Sequence, residues 1–246
     1  MLISAMVGID SRATMDIDTT LRNYPLNCES AEQIVRQIAD VEIDDKISFV
    51  IKKTEEIMED SEYQGVRLSL DAYLDKTRIP LKIDISTGDV ITPCEISFSY
   101  QLMFENRTIP LLAYPPETVL AEKLETILSR GEANTRLRDF YDVYILQRED
   151  FVVTPDALCH ALLATCRKRG HEDLLHTYAS ILNEVRQSGA MRAQWMKYQT
   201  DFDYAAGITW DTVLDTVETL CIKTLDDHAF GDELPQEESQ FEMHLL

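Results

Sequence analysis

The sequence predicts an α+β protein with a mixed, largely antiparallel sheet in its N-terminal half and an all-helical C-terminal half. Alternating apolar and polar residues indicate strands before residue 115, with only two helical segments among them. After that point, apolar residues recur at helical spacing in nearly every segment. Because so few helices separate the strands, we do not expect a doubly wound parallel sheet.

Six strands are predicted, and we expect them to form one sheet. They cover residues 13–21, 47–57, 66–74, 80–86, 96–104 and 109–114. Two helices belong to the same half: one over 2–7, closed by Gly8, and one over 30–39, capped by Asn27 or Ser30. The remaining helices are predicted over 115–130, 137–148, 155–169, 172–187, 190–206 and 209–225.

These patterns divide the chain into three segments. We predict a sheet domain over residues 1–114, a helical domain over 115–225 and an acidic, flexible tail over 226–246. The first residue of the helical domain, Pro115, is tolerated at the start of a helix, and Gly131 can end that helix.

Composition narrows the classes of function. The chain has 246 residues, is 45% hydrophobic and carries a net charge of −21, which argues against a generic basic nucleic-acid binder. No apolar run is long enough to span a membrane. Its five cysteines are scattered without zinc-like spacing, and Cys159 and Cys166 share a helix face, which favours buried reduced thiols. A cytoplasmic protein fits this pattern best.

Three aspartates on two predicted strands form the strongest candidate site. Asp16 and Asp18 are two residues apart and so share one face of a strand, whereas Asp84 alternates with inward-facing isoleucines. If the strands are neighbours, three carboxylates converge and need a cation or protons to neutralise them. Oxygen ligands of this kind suit Mg²⁺, and the arrangement is typical of metal-dependent phosphoryl or nucleotidyl transfer. Each aspartate taken alone would more often simply face solvent.

Further candidates lie beside this site and on the first helix after the sheet. Arg12 and Thr14 precede the acidic residues and could contact phosphate through a guanidinium and a hydroxyl group. Lys123 lies next to the apolar stripe of its helix. It could reach a triphosphate or remain solvated, and composition alone does not choose between these alternatives.

A second charge cluster begins the next helix. Arg138, Asp139 and Asp142 lie near one helix face, with Arg136 just before them. One interpretation is a surface ladder of ion pairs worth a few tenths of a kcal/mol. The aromatic residues 140, 141 and 144 suggest partial burial instead.

Four segments in order resemble the AbiEii-type nucleotidyltransferase toxins, a branch of the polymerase-β-like nucleotidyltransferase superfamily. They are residues 1–18, 82–93, 117–126 and 134–142. The resemblance implies a nucleotidyltransferase-like sheet followed by a helical domain. It also implies that Asp16 and Asp18 are the metal-binding pair and that Asp84 is the third carboxylate.

The other site residues follow from the same resemblance. Lys123 matches the lysine of the family's helix motif, which handles the nucleotide. Arg138, Asp139 and Asp142 match its final R-D-x-x-D motif, in which Asp139 is the better candidate for direct involvement.

The function implied is that of a toxin in a bacterial toxin–antitoxin or abortive-infection system. We expect transfer of a nucleotide from an NTP to an acceptor hydroxyl, with tRNA 3′ ends as acceptor and Mg²⁺ as cofactor. The antitoxin, encoded nearby, is expected to act functionally rather than through a stable complex. The family's Gly-Gly or Gly-Ser loop would precede Met1. The alternative hypothesis is therefore a catalytically impaired nucleotide- or partner-binding remnant of the family.

Overall fold

The computed structural model describes residues 2–8, 10–12, 16–41, 43, 46–58, 64–102, 105–148 and 153–226. Within these ranges the chain forms a four-stranded sheet, a two-stranded hairpin and eight α-helices. Thr14 and the tail beyond residue 226 lie outside the described residues, and only the backbone of Asp16 is described.

All the predicted helices and strands are present. Strands β1–β6 are Asp16–Leu21, Ile47–Met58, Gln64–Leu74, Thr77–Thr87, Ile96–Gln101 and Thr108–Ala113. Helices α1–α8 are Leu2–Val7, Cys28–Ala39, Pro116–Arg130, Leu137–Arg148, Pro155–Lys168, Leu174–Gln187, Gly189–Asp201 and Trp210–Leu225. The helix predicted over 190–206 instead ends at Asp201, and residues 203–205 form a separate 3₁₀ turn.

The strands form two sheets, so the prediction of one six-stranded sheet is wrong. The larger sheet has the order β1-β4-β3-β2, with β1 parallel to β4 and the other pairs antiparallel. Strand β4 has β1 and β3 on its two sides, whereas β5 and β6 pair with each other. A hairpin satisfies the backbone hydrogen bonds of two neighbouring strands locally. Alternation in a sequence identifies a strand without specifying its partner.

Helix α2 covers one face of the four-stranded sheet. Asn27 begins it with a capping box, in which its side chain accepts from the backbone of Ser30 at 2.8 Å and its own backbone N–H donates to the Ser30 hydroxyl at 3.0 Å. Ala31 and Val35 of α2 pack on a small core made with the sheet residues Val66, Leu68, Leu70 and Ile85. The opposite face of the sheet carries the predicted carboxylates.

A larger core joins the remaining helices. Helix α3 packs against α4, α5 and α6, while α4 also packs against α8. Ile3 and Val7 of α1 are buried in this helical core although α1 precedes the strands. The division of the chain at residue 114 stays a prediction, but α1 packs with the helices. No helix in the described ranges has the length and apolar character required to cross a membrane.

The cysteines provide a test of this core. Cys159, Cys166 and Cys221 are buried, and Cys94 is exposed. Burial, reinforced by nearby carboxylates, raises the pKa of Cys166 and of Cys221 to about 12, so both stay as unreactive thiols at pH 8.

We expect Ellman's reagent to label Cys94 rapidly in the native protein. The three buried thiols should react only in denaturant. A Cys94→Ser variant should lose the fast phase and keep only the slower reaction of the half-buried Cys28. Fast labelling of Cys166 or Cys221 would contradict the packing described.

Candidate active site

Asp18 and Asp84 lie side by side on neighbouring strands, as predicted. Strands β1 and β4 are parallel, and their register places Asp18 next to Asp84. Laterally paired residues project from the same face of a sheet, with strands about 4.8 Å apart. Two residues earlier on each strand, the backbone of Asp16 pairs with that of Lys82. Asp18 and Asp84 are called the acidic pair below.

Arg67 of β3 occupies the other side of Asp84. Its Nε and Nη2 donate to the two carboxylate oxygens of Asp84 at 2.7 and 2.6 Å, whereas Asp18 is exposed. Within the residues that the structure describes, no group of three or more Asp, Glu, His or Cys side chains could hold a metal ion, and the side chain of Asp16 is outside that set. The metal-ligand role of the three aspartates therefore stays a prediction.

Arg12, Lys123 and the start of α4 are joined by alternating charges, which we call the ion-pair chain (Arg12, Asp142, Lys123, Asp139 and Arg136). Arg12 Nε and Nη2 donate to Asp142 at 3.0 and 3.1 Å. Lys123 Nζ lies 3.3 Å from Asp142 Oδ2 and 2.6 Å from Asp139 Oδ1. Arg136 Nε lies 2.9 Å from Asp139 Oδ2. One lysine on α3 thus connects both acidic residues of α4.

Most of the ion-pair chain is buried, so the interpretation as a surface ladder is wrong. Asp139 and Asp142 are 1% and 0% exposed, because the aromatic residues of α4 carry the start of that helix into the core. Burial disfavours the charge of Lys123, but the carboxylates of Asp139 and Asp142 outweigh it, so the pKa of Lys123 is raised. Burial likewise opposes the charge of Arg12, and Asp142 raises the pKa of its guanidinium. Both basic groups therefore stay charged at physiological pH.

A cleft of about 400 Å³ opens above the ion-pair chain. It is lined by Arg12, Asp18, Lys123, Thr135, Arg136, Leu137, Arg138, Asp139, Tyr198 and Phe202. Four of these residues are basic and two are acidic, in a chain whose net charge is −21. The cleft is thus a locally cationic site beside Asp18.

The Asp139 carboxylate lines this cleft, but its Oδ2 atom has almost no exposed surface there. Its Oδ2 atom is buried and has Arg136 as a close ion-pair neighbour, but the contact is not aligned as a hydrogen bond. Asn134 orients the segment, because its Oδ1 accepts from the backbone of Arg136 at 2.7 Å just before α4 begins. A buried carboxylate oxygen without a hydrogen bond is costly, and a ligand O–H or N–H would satisfy it only if the half-exposed Arg136 side chain moved aside.

A hydroxyl network connects the acidic strands to the helix that carries Lys123. Thr20 and Ser86 lie two residues beyond the acidic pair, on the same face. Asp89 Oδ2 accepts from Thr20 at 2.5 Å, from Tyr114 at 3.0 Å and from Ser86. Tyr114 comes directly before the cap of α3. The network thereby fixes α3 relative to β1 and β4.

The sequence of this site matches a known family. A family model described as "Nucleotidyl transferase AbiEii toxin, Type IV TA system" matches residues 1–216. The chain belongs to the AbiEii family. The resemblance predicted from four motifs is therefore confirmed, and membership of a type IV toxin–antitoxin family implies an antitoxin partner.

Two solved structures resemble this AbiEii family member at low sequence identity. One is a protein from Helicobacter pylori assigned as a nucleotidyltransferase, with 13% identity, a TM-score of 0.45 and coverage of 93% of this chain and 87% of that one. The other is JHP933 from Helicobacter pylori, with 13% identity, a TM-score of 0.45 and coverage of 92% and 84%. None of the curated proteins compared matches the chain.

Two aromatic residues of this AbiEii family member line the cleft although the sequence did not identify them as site residues. Tyr198 and Phe202 reach the cleft from the end of α7, with ring centroids 4.7 Å apart. The guanidinium of Arg138 lies 5.6 Å from the ring centroid of Phe202. Their only sequence signal is a helical i,i+4 aromatic pair, which is also typical of a core.

Proposed function

We propose that this AbiEii family member transfers a nucleotide from an NTP to an acceptor hydroxyl, with release of pyrophosphate, in the cleft beside Asp18. The observation that carries the proposal is the cationic lining of that cleft next to the acidic pair. A triphosphate needs fixed positive groups, and a displacement at phosphorus needs carboxylates that can hold a divalent cation.

The acidic strands offer a donor set that fits Mg²⁺. Asp18 and Asp84 are adjacent hard oxygen donors, and the spacing of two residues predicts that Asp16 shares the face of Asp18. Asp18 is exposed, so its carboxylate can be reached by a hydrated ion. Bound there, Mg²⁺ would neutralise phosphate charge and favour in-line attack at the α-phosphate.

The chain's own residues have distinct roles in this proposal. Arg12 and Lys123 hold the phosphates, since both remain charged and both are fixed by Asp142. Asp139 accepts a hydrogen bond from the bound substrate through Oδ2 once the Arg136 side chain has moved aside. Asp84 takes the proton of the attacking hydroxyl, for which it must exchange part of its contact with Arg67.

The side of the cleft formed by Arg138 suits a nucleobase. Its guanidinium lies over Phe202, with Tyr198 beside them. Aromatic rings and guanidinium planes both stack on bases, at about 1–3 kcal/mol per base. This surface braces the base of the NTP or the last base of the acceptor.

The acceptor and the cellular context are further parts of this proposal. We assign the acceptor to the 3′ end of tRNA, in the cytoplasm, and we propose that the antitoxin opposes the toxin without a stable complex. The limited basic lining agrees with recognition of a strand end rather than a long duplex.

The test is a transfer assay with each of four α-labelled NTPs, Mg²⁺, total tRNA and total cellular protein. We expect label in tRNA with a preferred nucleotide, and loss of transfer when EDTA removes the metal. Label in protein alone would mean that the acceptor is a protein hydroxyl and not tRNA, and the proposed transfer reaction would still hold. No transfer of any nucleotide with Mg²⁺ or Mn²⁺ would contradict the proposal.

One observation favours a second candidate function, namely nucleotide binding without catalysis. Both oxygens of Asp84 are already bound by Arg67, so the charge of Asp84 is compensated without a metal ion. In this alternative the cleft binds NTP, while the acidic strands serve only as structure.

Arg67→Gln and Asp84→Asn separate the two candidates. For a transferase, we expect Arg67→Gln to lower the Mg²⁺ concentration needed for half-maximal transfer and Asp84→Asn to abolish transfer. For a binding protein, calorimetry should show unchanged NTP affinity in both variants and no transfer in either.

A further inference from the structure

The outer edge of the four-stranded sheet has a self-complementary order of charges. Strand β2 is the last strand of the sheet, and among the described residues it pairs only with β3. Its centre reads Lys52-Lys53-Thr54-Glu55-Glu56. When this segment pairs antiparallel with a copy of itself and the two-fold axis passes through Thr54, each lysine lies opposite a glutamate.

We propose that β2 pairs antiparallel with β2 of a second copy of this chain, which joins the two four-stranded sheets into one. In this register Thr54 lies opposite Thr54, and Lys53 lies opposite Glu55 of the second copy. The β2–β3 register shifts between Ile51 and Lys53, at Lys52. In the proposed pairing, Lys52 lies beside Glu56 of the second copy.

The charges of the edge are available for this pairing. Lys52, Lys53 and Glu56 are exposed, and Glu55 is half-buried. Within one chain, Lys53 Nζ already lies 2.5 Å from Glu55 Oε2, so both side chains project from the same face. A second copy would complete a ring of four alternating charges there.

The register shift at Lys52 is of the kind that protects an edge strand, but the order of charges on β2 favours pairing with a copy of itself. Lysines on an edge strand normally oppose association, because a neighbouring strand brings no compensating charge. Here the neighbouring copy supplies the acid for every lysine. Phe49 and Val50, which are 40% and 44% exposed, continue the same strand, and a second copy would cover part of them.

The proposed interface is also compatible with an accessible cleft. Strand β1, which carries Asp18, is at the opposite edge of the sheet from β2. Two copies joined through β2 therefore keep their clefts at the outer ends of the combined sheet.

The experiment measures the molar mass of the full chain by sedimentation velocity between about 0.1 and 100 µM. We expect a dimer that dissociates on dilution. The variants Lys52→Glu/Lys53→Glu and Glu55→Lys/Glu56→Lys should each weaken it by about 100-fold, because four favourable cross-strand pairs become like-charge pairs. Unchanged thermal melting would show that the variants remain folded.

The decisive arm mixes the two variants in equal amounts. One variant then presents only acids and the other only lysines, so a heterodimer should form where neither variant self-associates. A monomeric wild type over the whole range, variants that still form homodimers, or a mixture that stays monomeric would each overturn the proposal. A Thr54→Pro variant, which places a proline ring at the axis, should be monomeric.

Discussion

Replacing Asp142 with alanine is expected to lower the free energy of unfolding by about 3–5 kcal/mol. The Asp142 side chain is fully buried and receives both Arg12 and Lys123. Without it, Arg12 and Lys123 lose the carboxylate that they share inside the protein. Of these two basic groups, Lys123 keeps its contact with Asp139. Urea denaturation followed by circular dichroism measures the loss.

The matched control is an aspartate that pairs with an arginine at the surface. Asp211 contacts Arg192 at 2.9 Å with both side chains about half exposed, so Asp211→Ala should change stability little. Asp142→Asn retains the shape and one acceptor oxygen, and its effect should lie between the two. If Asp142→Ala unfolds at the same urea concentration as Asp211→Ala, the ion-pair chain does not hold the site together.

Replacing Asp18 with asparagine is expected to reduce nucleotide transfer by about 1,000-fold, which corresponds to about 4 kcal/mol of transition-state stabilisation. The change removes the negative charge and retains the size of the side chain. Asp18 is exposed and lies beside Asp84, so its carboxylate has a functional rather than a packing role in our proposal. Initial rates with labelled NTP and saturating Mg²⁺ measure the effect.

An exposed aspartate of α8 provides the control for this prediction. Asp215 pairs with Arg186, which also contacts Glu218, so Asp215→Asn should leave both folding and transfer unchanged. If wild type and Asp18→Asn melt at the same temperature, the lost transfer is due to the missing carboxylate charge and not to unfolding. Near-wild-type transfer by a folded Asp18→Asn would remove Asp18 from the proposed mechanism.

The local parts of the fold and site follow from the sequence. The period of two in a strand predicted that Asp16 and Asp18 share one face, and Asp84 was expected to join them if the two strands were neighbours. The register of β1 and β4 shows that these strands are neighbours and that Asp18 lies next to Asp84. The cap at Asn27, one of the two candidates predicted, also depends on local spacing, since its partner Ser30 is three residues away. Spacing within an element is sufficient for such predictions.

Contacts between distant segments did not follow from the sequence. One interpretation placed Asp142 in a surface ladder of ion pairs with Arg138, but Asp142 is buried and binds Arg12, 130 residues earlier in the chain. Arg138 instead lies over Phe202. Periodicity does not specify a partner in another element, which is also why the separate pairing of β5 with β6 was missed.

The burial of α1 among the later helices has a consequence for the order in which the protein matures on the ribosome. Ile3 and Val7 acquire their neighbours only when the second half of the chain has been synthesised. Arg12 follows α1 directly and depends on Asp142. A nascent chain that has completed its sheet therefore still lacks Asp142, and in our proposal Arg12 is fixed for phosphate binding only after α4 has been synthesised.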